Sequence, residues 1–293
     1  MDHPQVPRFA TTLSVVNAWG RAGHFGNARV ANERAGFPRH FDHQFGWAAD
    51  QLSKFAFAGR ISGDALMDQH SHLPLQLSIM AANDAVEMRN GMRSADMHKY
   101  HQLNQFFAWD PLEAPNLRRC PTCVEEDLAR YGVAHWRLHH QWPFTRHCAE
   151  HRTPLQQACV RCKKSPFVEK VAIQLAHDDC LLCGHHAHFT PLIDESPVKG
   201  PAEAYWSLLD LAFRALKGEA LEIRSFDEAA LRRRGITMDH VVSKTLTRWN
   251  CRSGVELAAK LDIVVQEDNG ARKLKNASPL MMKLAVLNCG LEM

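Results

Sequence analysis

Apolar positions recur every three or four residues along both ends of this chain, and that spacing predicts helices. From Thr11 to Ala22, Leu13, Val16 and Trp19 fall on one side of the turns. From Phe45 to Ala58, Phe45, Ala48, Ala49, Leu52, Phe55 and Ala56 share a face. Ser62 is placed to cap a short helix running to Gln69, and Pro74 closes that element or opens the next. Strand-like alternation is scarce. Residues 1–113 therefore read as an all-helical, helix-turn-helix-like unit.

The pattern breaks near Pro111 and Pro115, a natural boundary. Beyond it, Thr122-Cys-Val-Glu125 has the form of a capping box, with Gly132 placed to end the helix it starts. His135 to Phe144 is aromatic and irregular. Pro191 to Pro201 reads as a linker. Helical spacing returns in residues 202–293, first from Tyr205 to Leu216. Ser225-Phe-Asp-Glu228 and Ser253-Gly-Val-Glu256 are further capping boxes. Gly235 suits a helix end, and Thr237 opens a helix reaching Trp249. In residues 262–275, Asn269-Gly270 between two short runs is a hairpin signal. Three short helices followed by a hairpin draw the outline of a winged helix. No repeat of solenoid length and no low-complexity tract occurs.

At 293 residues and 45% hydrophobic, the chain can build one large or two ordinary domains around a sizeable core. It contains no run of about 18 apolar residues, so no membrane span is expected. The opening MDHPQVPRFATTL has an early acid and no apolar stretch, which argues against a secretory signal and for a cytoplasmic protein. Net charge is +3, unevenly spread: residues 114–170 carry ten Lys+Arg against five Asp+Glu, while each flank comes to −1. Such a basic stretch attracts phosphate backbones or acidic protein surfaces. Its plainer reading is a solvated face.

That basic stretch coincides with most of the cysteines. Of nine, Cys251 and Cys289 stand apart and read as ordinary buried thiols. The other seven join His151 in four C-x-x-[CH] pairs: Cys120/Cys123, Cys148/His151, Cys159/Cys162 and Cys180/Cys183. A reducing compartment disfavours disulfides, so this spacing points to metal. Two ligands separated by two residues share one tight turn, and two such turns close a tetrahedron around zinc. The expectation is two zinc ions, held by Cys120, Cys123, Cys148 and His151 and by Cys159, Cys162, Cys180 and Cys183. Sequential pairing lets each site close its own loop. A cross-braced arrangement, Cys120/Cys123 with Cys159/Cys162, is the alternative. His185, His186 and His188 lie close enough to compete as ligands or to support them.

The fold class that follows is mainly α with small zinc-ribbon or zinc-finger elements. A helical unit over 1–113 precedes a double zinc module over 114–195. A helical domain with a candidate winged-helix hairpin covers 202–293. Four ligands on each ion leave no vacancy for water or substrate, which a catalytic zinc requires. No H-E-x-x-H, P-loop, G-x-S-x-G, G-x-G-x-x-G or zinc-deaminase pattern is present. His139 and His140 have no nucleophile or carboxylate motif beside them and read as packing or hydrogen-bonding groups. A binding protein, not an enzyme, is expected.

The run from Arg118 to Lys164 resembles the zinc-binding core of the TniQ family of transposition proteins. Its elements are Cys120-Pro121-Thr122-Cys123, the acidic Glu125-Glu126-Asp127, Trp136-Arg137-Leu138, Cys148 to His151, Leu155, and Cys159 to Cys162. Upstream, His70-Ser-His-Leu-Pro74 resembles the family's H-T-x-x-P-like segment. The Ser-Trp-Leu segment usual near the N-terminus is faint around Thr12–Trp19, and the last third matches no family motif. The resemblance implies a target-selection adaptor that recognises DNA or a CRISPR RNA-guided complex. It then recruits a AAA+ ATPase regulator, which brings the transposase. Some family members act as homodimers, and the site of action is the bacterial nucleoid.

For DNA, Arg118, Arg119, Arg146, Arg152, Arg161, Lys163 and Lys164 are the candidate phosphate contacts. Arg232, Arg233 and Arg234 form a second group, which reads equally as a cationic helix end. Two other functions compete. A zinc-containing transcription regulator would bind a promoter-like duplex without an ATPase. A metal-dependent nuclease or hydrolase would need an exchangeable water on its metal.

Overall fold

The computed structural model describes residues 5–34, 36–37, 48–78, 82–93, 117–142, 144–164, 173–185, 189–191, 201–219, 235–261, 266–268 and 271–273. Phe45, the Pro111 and Pro115 boundary, most of the Pro191–Pro201 linker, Ser225–Glu228, Arg232–Arg234, His186, His188, Asn269-Gly270 and Cys289 lie outside these residues.

The N-terminal helices begin where capping chemistry places them. Helix α1 (Thr12–Ala22) starts at Thr11, whose hydroxyl accepts the Ser14 N–H at 3.1 Å. Helix α2 (Ala28–Arg34) follows. Helix α3 (Ala49–Ala56) begins later than the pattern suggested, because Ala48 turns left-handed at φ 50°. Helix α4 (Gly63–His70) has the expected Ser62 cap, accepting the Ala65 N–H at 3.1 Å. Pro74 lies in the first turn of α5 (Leu73–Leu77), where its missing N–H costs nothing, so it opens that element. Helix α6 (Ala82–Arg93) closes the group. Val15, Val16, Leu52, Leu66, Met67 and Met88 form their shared core.

His70 is buried at the end of α4, with Nδ1 3.0 Å from the Ala10 carbonyl. Burial pushes its pKa down from 6.5 to about 4, against the opposing pull of that carbonyl. The folded chain thus needs a neutral imidazole that the unfolded chain protonates. Stability from this group is complete above its ordinary pKa and drains as pH falls toward the depressed one, by about 3 kcal/mol in all. His70→Asn keeps an N–H for Ala10 but does not titrate. Urea melts at pH ~7 and ~5 should show the wild type losing more stability than the variant. Equal losses would contradict this account.

In the middle of the chain, α7 (Pro121–Tyr131) ends as expected at Gly132, left-handed at φ 73°. The capping box over Thr122–Glu125 does not form. Cys120 is the N-cap, without a side-chain cap bond, and Pro121 takes the first turn. The segment after α7 is extended and then turns. It pairs with the segment before α1 through an isolated antiparallel bridge, with Thr11 N–H to Trp136 O and Leu138 N–H to Phe9 O, both 2.7 Å. A 3₁₀ turn covers Leu138–His140. Strands β1 (Gln156–Cys159) and β2 (Phe189–Pro191) form a short antiparallel ribbon.

Helix α8 (Ala202–Leu216) buries Tyr205, Leu208, Leu209, Ala212 and Leu216. Phe9 and Leu75 from the N-terminal unit, and Leu138, Trp142 and Phe144 from the centre, pack into the same core. That core also takes in Trp249, Leu257 and Leu261. Helix α9 (Met238–Arg248) is capped by Thr237 through the His240 N–H at 3.2 Å. In α10 (Gly254–Lys260), Ser253 accepts the Glu256 N–H at 3.3 Å. Glu256 reaches back to the Arg252 N–H at 2.5 Å, one residue earlier than in a regular capping box. Strands β3 (Gln266–Asp268) and β4 (Ala271–Lys273) pair antiparallel with Asp268 opposite Ala271, the strand pairing that the hairpin signal predicts.

Candidate metal centres

Three of the four C-x-x-[CH] pairs fold into one repeated turn. Cys148, Cys159 and Cys180 each donate their N–H to the carbonyl five residues on, at Thr153, Lys164 and His185, at 2.9 Å in every case. The residue four positions on donates back to the cysteine's carbonyl: Arg152 at 2.9 Å, Lys163 and Gly184 at 2.8 Å. Those residues are left-handed, at φ 59°, 58° and 63°. For Arg152 and Lys163 this conformation is strained, by about 1 kcal/mol each, and the ring of bonds holds it. The fourth pair is built differently. Cys120 caps α7 and Cys123 sits in its first turn.

The turns converge in sequential order. Cys120, Cys123, Cys148 and His151 place their ligand atoms within 4.8 Å of one another, and so do Cys159, Cys162, Cys180 and Cys183. In the first centre the Cys123 and Cys148 sulfurs are 3.7 Å apart, and His151 Nδ1 lies 3.5, 3.3 and 3.6 Å from Cys120, Cys123 and Cys148. In the second, Cys159–Cys183 and Cys162–Cys180 are each 3.6 Å apart. A tetrahedron with Zn–S bonds of ~2.3 Å has edges of ~3.8 Å, so both sets fit zinc. Three thiolates with one imidazole, and four thiolates, are the donor sets of closed structural zinc sites.

The two centres sit in different surroundings. In the first, Cys120, Cys123 and Cys148 are at most 2% exposed. Glu126 Oε1, 3.2 Å from His151 Nε2, orients that imidazole, and Thr153 Oγ1 lies 3.0 Å from Cys120 Sγ. In the second, Cys162 and Cys183 are half-buried. Around them Val160, Leu181 and Leu182 are 41%, 49% and 42% exposed. Arg161, Lys163 and Lys164 are exposed beside them. Three of the four residues lying between paired cysteines at this centre are thus uncovered aliphatics.

A family model described as TniQ matches residues 18–155, from within α1 to just past the first centre. Residues 18–155 of the chain thus form a TniQ domain, a little under half of its length. A search of curated proteins finds no match to the chain. The TniQ match takes in the N-terminal helices, α7 and all four ligands of the first centre. The second centre and α8 to α10 lie beyond it. TniQ is a transposition-associated adaptor family. Among the described residues, no helix is long and apolar enough to cross a membrane.

The basic candidates divide sharply. Arg118 and Arg119 are buried, 5% and 3% exposed, and are corrected from surface cations to structural ones. The Arg118 guanidinium donates to the Trp142 and Thr145 carbonyls at 3.0 and 2.7 Å. That of Arg119 donates to the Ala176 carbonyl, and burial holds its pKa down at about 9. Arg146 is half-buried, its N–H bonded to the Tyr205 hydroxyl. Arg152 is exposed but pairs with Asp210 at 2.6 Å and lies over the Trp206 ring. Arg161, Lys163 and Lys164 remain as an exposed group on one turn of the second centre. His139 and His140 are buried, as packing groups should be, and burial drives both pKa values far down. Cys251 is only half-buried, at the turn between α9 and α10.

Proposed function

We propose that this chain is a non-enzymatic target-selection adaptor of DNA transposition. It binds a target, as DNA or as a CRISPR RNA-guided complex, and recruits a AAA+ ATPase regulator that delivers the transposase. The TniQ match carries this reading. The metal chemistry supports it, since two sets of four donors fill two tetrahedra and leave no corner for a reacting water. The first centre stiffens the core. The second carries the exposed tip, where Arg161, Lys163 and Lys164 meet phosphate and Val160, Leu181 and Leu182 meet the protein partner. The chain acts in the cytoplasm, at the nucleoid, and as a homodimer in the way the family resemblance implies.

The test uses the full chain, duplex DNA and a AAA+ ATPase transposition regulator. Lys163→Glu/Lys164→Glu should weaken duplex binding evenly across sequences and reduce the salt slope by about 2. Leu181→Asp/Leu182→Asp should abolish ATPase capture and spare the DNA term. Failure of the wild type to capture the ATPase would overturn the adaptor reading. The hairpin after α10 favours one competitor, a transcription regulator, which predicts tight binding to one duplex sequence with no ATPase.

A further inference from the structure

The first centre has more nitrogen donors beside it than a tetrahedron can use: His139 Nε2 lies 3.9 Å from Cys148 Sγ, and His140 comes closer. His140 Nε2 lies 3.4 Å from Cys148 Sγ and 3.9 Å from Cys123 Sγ. The His140 ring is 1% exposed. Its Nε2 is within reach of two of the sulfurs, while His151 Nδ1 faces all three and already closes the fourth corner. A bare lone pair aimed at an anionic sulfur would be repelled, so His140 Nε2 must carry the proton. We propose that His140 is a positioning residue of the first zinc centre, donating its Nε2–H to the Cys148 thiolate and thereby holding the metal in place.

The electrostatics require such a donor. Three thiolates and one imidazole on a divalent ion leave one net negative charge in a nearly dry interior, which is costly unless hydrogen bonds spread it. Cys120 has the Thr153 hydroxyl at 3.0 Å, and Cys148 has the His151 backbone N–H at 3.4 Å. His140 supplies the nearest imidazole donor, at 3.4 Å to Cys148 and at longer range to Cys123; His139 Nε2 is farther, at 3.9 Å from Cys148. The second centre meets the same problem with two half-buried cysteines, Cys162 and Cys183, and the exposed cations Arg161, Lys163 and Lys164.

The imidazole is also held rigidly. It ends the 3₁₀ turn Leu138–His140, which the next residue clamps. The Gln141 side chain accepts the Arg118 N–H at 3.0 Å and donates to the Arg118 carbonyl at 2.8 Å, two residues before Cys120. The turn bearing the donor and the segment leading into Cys120 are thereby fastened together. Nothing in the spacing of the cysteines marks this residue.

The test is cobalt substitution of the full chain, comparing His140→Phe with His140→Gln, whose amide N–H occupies the Nε2 position. Loss of the donor raises the energy of the sulfur lone pair. His140→Phe should therefore move the thiolate-to-cobalt charge-transfer band to longer wavelength and cut metal affinity by about 10–100-fold. His140→Gln should restore both. An unchanged band in folded His140→Phe, or a glutamine variant that behaves like the phenylalanine one, would overturn the proposal. The wild-type protein gives a reading even if neither variant folds. Histidine nitrogen NMR of the zinc form should show His140 protonated at Nε2, and protonation at Nδ1 would overturn the proposal.

Discussion

A Cys120→Ser variant is expected to lose one zinc per chain, fall in soluble yield and cease to unfold cooperatively. Cys120 is fully buried and stands at a junction. It caps α7, its neighbour Arg119 pairs both ways with Gln156 at 3.0 and 2.8 Å, and its sulfur closes the first centre. A structural zinc contributes about 10–16 kcal/mol to small folds, whereas a whole domain is stable by about 5–15 kcal/mol. Removing one ligand therefore takes away as much as the fold has to spare. Cys162→Ser makes the informative contrast. Its centre is half-exposed and its sulfurs cluster apart from the main cores, so it should lose the second zinc while the helical core still melts as a unit. Metal analysis beside circular-dichroism melts reads both. Two zinc ions and a wild-type melt in Cys120→Ser would refute the structural role of the first centre.

The metal centres were almost fully legible because ligand spacing is a local signal. Two residues between ligands fit one turn, and sequential pairing needs only short loops. The helix starts at Ser62, Thr237 and Ser253 were legible for the same reason. Thr122 was not, since a neighbouring cysteine and proline claimed the helix start, and metal geometry outranked the capping pattern. Charge misled at Arg118 and Arg119. In sequence they look like the most basic point of a basic stretch, but whether a guanidinium faces solvent depends on long-range partners such as Trp142, Thr145 and Ala176. The contacts of Glu126, His140 and Thr153 with the first centre also arise only in three dimensions. So does the core that joins Phe9 and Leu75 to α8 across more than a hundred residues of chain.

Asp127 is another residue whose weight appears only on folding, and Asp127→Ala should destabilise the chain by about 3–5 kcal/mol. Its carboxylate side chain is 1% exposed and pairs with Arg137, itself 11% exposed. The same carboxylate accepts the His135 N–H at 3.1 Å. Burial pushes its pKa up, and the guanidinium pulls it back. The pair thus joins two elements of the family resemblance, the acidic stretch of α7 and Trp136-Arg137-Leu138, and it fixes the extended segment that leads to His140. Deleting the acid leaves a buried guanidinium with a single described partner, the Arg8 carbonyl at 3.0 Å. Uncompensated burial, more than lost attraction, sets the size of the effect. Asp127→Ala/Arg137→Met, which removes both charges and keeps an apolar side chain, should therefore regain most of the loss. Urea melts of the three proteins measure the coupling. A single variant within about 1 kcal/mol of wild type would place the pair among ordinary surface salt bridges. A double variant no better than the single would show that the carboxylate acts through the His135 N–H instead.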